Sequence, residues 1–90
     1  MNIQLNGKRA LVLGASQGIG RAIAQEFAAL GAELVLLARD RGKLEALRVE
    51  LPGDGRSSHR IIAVDMADTP ALEVAIGDLC AEVSVDVIVN

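Results

Sequence analysis

An apolar run, Ala10-Leu11-Val12-Leu13, breaks at Gly14 into a glycine-spaced turn, Gly14-Ala15-Ser16-Gln17-Gly18-Ile19-Gly20, and a helical pattern follows at once. A short buried run that ends in glycine and then takes up a 3.6-residue period is a strand turning sharply into a helix. The first turn of a helix leaves backbone N–H groups without intrahelical partners and carries a partial positive charge. Glycines there remove the side chains that would keep an anion away, so the turn has the make-up of a phosphate cradle.

The rest of the chain repeats the alternation. Lys8 to Leu13 reads as a first strand, and Ile19, Ile23, Phe27 and Leu30 form one helical stripe, with Gly31 where a C-terminal cap belongs. Leu34 to Leu37 is a continuous apolar run, the mark of a strand covered on both faces. Leu44, Leu47 and Leu51 mark a second helix that Pro52-Gly53 ends, and Asp54 to His59 reads as a polar loop. Ile61 to Val64 is a third strand. Thr69-Pro70 starts a third helix, with threonine as N-cap and a stripe of Leu72, Ile76, Leu79 and Val83; Val85 to Val89 is a fourth strand.

Strands separated by helices imply right-handed crossovers and a parallel sheet. The expected architecture is α/β, a partial Rossmann fold: a parallel four-stranded sheet of order 3-2-1-4 with three helices, the first two on one face and the third alone on the other. In that order the fourth strand is an edge. Val85, Val87, Ile88 and Val89 then present unpaired backbone and apolar side chains, a liability for pairing or aggregation. The expectation is that the chain pairs with a second copy or lacks a C-terminal half.

Composition excludes several other classes. The apolar content is 51% and Phe27 is the one Phe, Tyr or Trp, which argues against disorder and against a base-stacking surface. A net charge of −3 gives no basis for binding nucleic acid or anionic lipid. Cys80 has no second cysteine to pair with, and Cys80 with His59 is too small a ligand set for zinc, so no metal site is expected. No apolar stretch approaches membrane-spanning length and no secretory leader is recognisable, so a cytoplasmic protein is the default expectation.

The stretch Asn6-Gly7-Lys8-Arg9-Ala10-Leu11-Val12-Leu13-Gly14-Ala15-Ser16-Gln17-Gly18-Ile19-Gly20-Arg21-Ala22-Ile23-Ala24 resembles the N-terminal signature of the short-chain dehydrogenase/reductase family, a Thr-Gly-x-x-x-Gly-x-Gly turn. Leu13 stands in the threonine position, a mild departure because that threonine braces the turn and makes no phosphate contact itself. The resemblance runs through all of residues 1–90, which correspond to the N-terminal half of an NADP-binding Rossmann domain that stops after its fourth strand.

The resemblance implies a set of cofactor contacts. Ser16 and Gln17 lie near the adenosine phosphates, Ile19 offers its backbone N–H to the diphosphate, and Gly14, Gly18 and Gly20 keep the approach open. Just after the second strand an acidic residue would bind the ribose 2′-hydroxyl of NAD, whereas an arginine accommodates the 2′-phosphate of NADP. Here Ala38 is followed by Arg39, whose guanidinium fork matches phosphate, so NADP is expected over NAD. Asp40 next door would repel that phosphate unless it turns away. Many NADP-preferring relatives carry a basic residue before the second glycine, where this chain has Gln17. Asp65 and the N–H of Met66 correspond to the family's adenine contacts, and Asn90 to the first residue of its Asn-Asn-Ala-Gly motif, against the adenosine ribose.

Each of these residues has a plainer alternative. The glycines could serve only the turn and helix packing. Arg39 could be one solvated charge in a basic loop with Arg41 and Lys43, Asp65 a cap before the third helix, and Asn90 a frayed end. Cys80 reads as a small buried residue, and Ser57, Ser58 and His59 as a solvated loop. Chemistry is missing in any case: the family's Tyr-x-x-x-Lys dyad, in which tyrosine is the acid or base and lysine lowers its pKa, needs a tyrosine that this sequence lacks. No catalytic residue is therefore expected here. The resemblance implies a cofactor-holding part of an oxidoreductase that moves hydride between NADP(H) and a carbonyl or alcohol; the alternative is a non-catalytic nucleotide-binding or self-associating module.

Overall fold

The computed structural model describes residues 4–52 and 59–90. Seven elements alternate: β1 (Arg9–Leu13), α1 (Gly18–Ala29), β2 (Glu33–Ala38), α2 (Arg41–Glu50), β3 (Arg60–Ala63), α3 (Thr69–Glu82) and β4 (Val87–Val89). The strands form one parallel sheet in the order β3-β2-β1-β4, as the alternation predicts. Boundaries move by one or two residues from the sequence expectation. The expected loop at 54–58, with Ser57 and Ser58, lies outside the described residues.

The sheet carries its helices as predicted. On one face, Ala10, Val12, Leu34 and Leu36 pack against Ala24 and Ala28 of α1 and Leu44 and Leu47 of α2. On the other, Leu11, Val35 and Leu37 pack against Leu79 of α3, with Leu72, Ile76 and Val83 half-buried around it. Only the central strands are covered on both sides. β1 and β2 are buried along nearly their whole length, whereas the edge strands β3 and β4 are not. A fully buried leucine stabilises by about 1.5–3 kcal/mol, so Leu34, Leu36, Leu44 and Leu47 make the α1/α2 face the stronger of the two. Ile88 on β4 stays 63% exposed, as one helix cannot reach across four strands.

Four local expectations are corrected. Ile19 is 79% exposed and is no part of the α1 stripe; the face that meets the sheet is the alanine pair Ala24 and Ala28, which allows close approach, flanked by half-buried Ile23 and Phe27. The N-cap of α3 is Asp68, whose side chain accepts from the Ala71 N–H at 3.2 Å, and Thr69 is the first helical residue. Cys80 is exposed, because it lies a step of about 100° round the helix from the inward Leu79. His59 is buried: its Nδ1 accepts the Leu34 N–H at 3.1 Å, and its Nε2 lies 3.1 Å from the Pro52 carbonyl.

Gly31 ends α1 as expected. Its φ of 97° lets the Ala32 N–H reach the Phe27 carbonyl at 3.1 Å and its own N–H reach that of Ala28 at 3.0 Å, a Schellman closure. The amino end of the sheet is tied by Arg9. Its guanidinium donates to Glu33 at 2.7 Å and to the Ser84 carbonyl at 2.9 Å, and its backbone exchanges hydrogen bonds with Asp86. Among the described residues no helix is long and apolar enough to cross a membrane, and no group of His, Cys, Asp and Glu could hold a metal ion.

Candidate functional site

The strand register brings the sequence-predicted residues to one end of the molecule. Leu13 pairs with Leu37, Ala38 with Ala63, and Val12 with Val89. The segments that follow the strands therefore leave the sheet side by side at its carboxyl end: the glycine turn after β1, Arg39 after β2, Val64 to Met66 after β3, and Asn90 after β4. The Val64 N–H extends the pairing by donating to the Ala38 carbonyl at 2.9 Å. The chain reverses its winding direction between β1 and β4, the switch point where open α/β sheets bind ligands.

The glycine turn is open where an anion would sit. Gly14 and Ala15 spend their N–H groups on the Leu37 carbonyl, at 2.8 and 3.2 Å, which staples the start of the turn to β2. Gly14 and Gly18 have φ of 70° and 61°, backbone that favours glycine. From Ser16 to Gly20 the backbone N–H groups have no hydrogen-bond partner among the described residues. Gln17, the N-cap of α1, makes no side-chain cap bond, and the first turn holds no acidic residue. The other two helices start differently: Asp40 and Asp68 cap α2 and α3 with their own carboxylates. Among the described helices, only α1 leaves its positive end and its amides to an outside acceptor. Gly20 packs directly on the Gly14 carbonyl and closes the floor of the turn.

Arg39 is exposed and directly precedes Asp40, the N-cap of α2. Its neighbour Asp40 does turn away, because its Oδ1 accepts the Lys43 N–H at 3.1 Å. Arg41 and Lys43 lie in the first turn of α2, and not in a basic loop with Arg39 as the plainer alternative had it. Cations at a helix N-terminus oppose the macrodipole, at a cost of a few tenths of a kcal/mol each. Three cations gathered there gain from an anionic ligand. Sequence reading weighed Asp40 only as a carboxylate beside the phosphate and missed it as the cap from which α2 starts.

Asp65 both caps and reaches out. Its Oδ1 accepts the Ala67 N–H at 2.9 Å and its carbonyl accepts the Asp68 N–H at 2.9 Å, so the capping alternative is realised. Its Oδ2 lies 4.0 Å from the Arg39 Nη1 and is open to a further donor. The Met66 N–H has no partner among the described residues, and Asn90 is exposed beyond β4. A separate groove of about 400 Å³ lies between β3 and α3, bridged by the Arg60–Glu82 ion pair, and none of the candidate residues lines it.

A dinucleotide fits this donor set: free amides and a helix terminus for a diphosphate, a guanidinium for a further phosphate, and a carboxylate with a neighbouring N–H for a base edge. Comparison with known proteins agrees. A D-threitol dehydrogenase of Mycolicibacterium smegmatis is 40% identical over 90 residues, which are 99% of this chain and 34% of that one. A citronellol catabolism dehydrogenase of Pseudomonas aeruginosa superposes with a TM-score of 0.87 at 35% identity, covering 100% of this chain and 38% of that chain. An L-sorbose reductase of Gluconobacter frateurii, solved with NADPH and L-sorbose, superposes with a TM-score of 0.81 at 32% identity, covering 100% and 35%. The chain thus spans about a third of the length of the relatives it matches. The family model described as short chain dehydrogenase matches residues 8–90, from the first strand through the glycine turn to Asn90, and on that match the chain belongs to the short-chain dehydrogenase family.

Proposed function

We propose that this chain is the N-terminal half of an NADP(H)-binding domain and holds the adenosine and diphosphate part of the cofactor. The row of free amides from Ser16 to Gly20, on the one helix whose N-terminus carries no cap of its own, is the observation that carries the reading. Ser16, Gln17 and the Ile19 N–H receive the phosphates, with Gly14, Gly18 and Gly20 shaping the turn. Arg39 receives the ribose 2′-phosphate, Asp65 and the Met66 N–H receive the adenine edge, and Asn90 lies against the ribose. Bound NADP(H) supplies hydride transfer to or from a carbonyl or alcohol, the activity of the whole protein. The role of the residues named here is to bind and orient the cofactor.

A second reading rests on one feature: Val87 and Ile88 leave an apolar edge strand uncovered, which suits pairing with a second copy. Amide NMR titration separates the two. Added NADPH shifts the signals of residues 16–20, Arg39, Met66 and Asn90 at concentrations where those of Val87 and Ile88, on the uncovered edge, stay put. If those signals do not move up to millimolar nucleotide, the cofactor reading fails.

A further inference from the structure

Asp65 and Arg39 meet at the place where the cofactor's adenosine end is proposed to bind, and their charges have opposite effects on a phosphate. The Asp65 carboxylate is tethered on one side. The Ala67 N–H holds Oδ1 at 2.9 Å, and the Asp68 N–H holds the carbonyl of the same residue at 2.9 Å, which turns Oδ2 toward Arg39, whose Nη1 lies 4.0 Å away. Arg39 is the looser partner, its side chain 82% exposed against 49% for Asp65. The other carboxylate nearby, Asp40, is turned onto the Lys43 N–H. Asp65 is therefore the anion that faces Arg39.

We propose that Asp65 limits the preference of this site for a 2′-phosphorylated cofactor by competing for Arg39 and repelling the phosphate that Arg39 would bind. The inference rests on the reading that Arg39 receives that phosphate. An anion hydrogen-bonded to the free nitrogens of this guanidinium sits within a Debye length of Asp65, about 8 Å at physiological salt, so screening does not remove the repulsion. A phosphate monoester carries a charge of about −1.5 to −2, and NADH has no such group at that position. The Asp65 charge therefore bears on NADPH and barely on NADH. As an acceptor for an adenine amine, by contrast, Asp65 serves both cofactors alike.

Asp65→Asn tests this, because an asparagine keeps the oxygen that accepts from Ala67 and removes the charge; Asp65→Ser, a shorter acceptor, checks that the amide itself is not the cause. Dissociation constants for NADPH and NADH are measured by amide NMR on the whole chain. Both variants are expected to raise the NADPH preference, the ratio of the NADH to the NADPH constant, roughly threefold to tenfold, with the gain shrinking in 0.5 M salt. A ratio that stays the same or falls overturns the proposal and leaves Asp65 as an adenine contact or a cap. Arg39→Ala is the control for the underlying reading: it lowers the ratio if Arg39 holds the phosphate, and an unchanged ratio overturns that assignment separately. Failure of the unaltered chain to bind either nucleotide overturns both.

Discussion

Gly20 faces the carbonyl group of Gly14 so closely that a Cβ built on it would overlap the oxygen and come within 2.9 Å of the carbonyl carbon. The obstacle is backbone on both sides, and the Gly14 end is stapled to Leu37, so neither can yield cheaply. Gly20→Ala is expected to push α1 off the turn, costing about 1–3 kcal/mol in urea denaturation and abolishing NADPH binding. Gly14 and Gly18 meet nothing within 4 Å of a built Cβ, and their constraint is φ alone. Gly18→Ala should cost about 1–2 kcal/mol and leave weakened binding. Equal binding losses for Gly18→Ala and Gly20→Ala would show that the close packing is not what shapes the cradle.

His59 joins the start of β2 to the end of α2. With Nε2–H donating to the Pro52 carbonyl, the bare Nδ1 accepts from Leu34, a residue that is itself buried. His59→Ala leaves the Leu34 N–H without a partner inside the protein, a loss of about 1–3 kcal/mol by chemical denaturation. The site lies at the other end of the sheet, so nucleotide affinity measured well below the unfolding transition should be unchanged. A stability within 0.5 kcal/mol of the parent would mean that water replaces the imidazole.

The fold was legible because apolar runs and glycine breaks are local signals. Leu34 to Leu37 and the Leu44, Leu47, Leu51 stripe needed no distant information. What escaped was set by contacts far along the chain or by near-equivalent local choices. His59 finds its partner 25 residues away, so its burial left no local trace. Asp68 and Thr69 are both good caps, and Pro70 suits the first turn under either; the Leu72 N–H bonding to the Asp68 carbonyl decides it. Ile19 suited a core stripe by spacing, but the alanines at 24 and 28 bring α1 closest to the sheet and turn Ile19 outward. At the site, residue identities named the candidates, while the free amides, the Asp40 cap and the Arg39–Asp65 approach depend on how the segments meet in space.

The exposed edge at β4 has a solution consequence. Ile88 is 63% exposed on a strand with a free backbone edge, next to half-buried Val85 and Val89. Sedimentation is expected to find the chain associating at high concentration, and Ile88→Lys to shift it toward monomer by charging the edge. A monomeric parent at millimolar concentration would remove the case for self-association.

The last prediction concerns what holds β4 in register. The strand has three residues, and its pairing with β1 runs only from Ala10–Val87 to Val12–Val89. Just before it, the Asp86 carboxylate accepts the Arg9 N–H at 2.9 Å while the Asp86 N–H donates to the Arg9 carbonyl at 2.8 Å. That reciprocal pair fixes which residue of β4 lies opposite which residue of β1, and a slip of one would turn every side chain to the other face. Asp86→Ala removes the carboxylate half and should cost about 1–2 kcal/mol. Asp86→Asn keeps an acceptor oxygen and should cost less than half as much. The amide signals of residues 87–90 should broaden in Asp86→Ala while those of β2 stay sharp, because β2 is held by the core and β4 by this clamp. Uniform broadening across the sheet would show instead that β1, not β4, depends on Asp86.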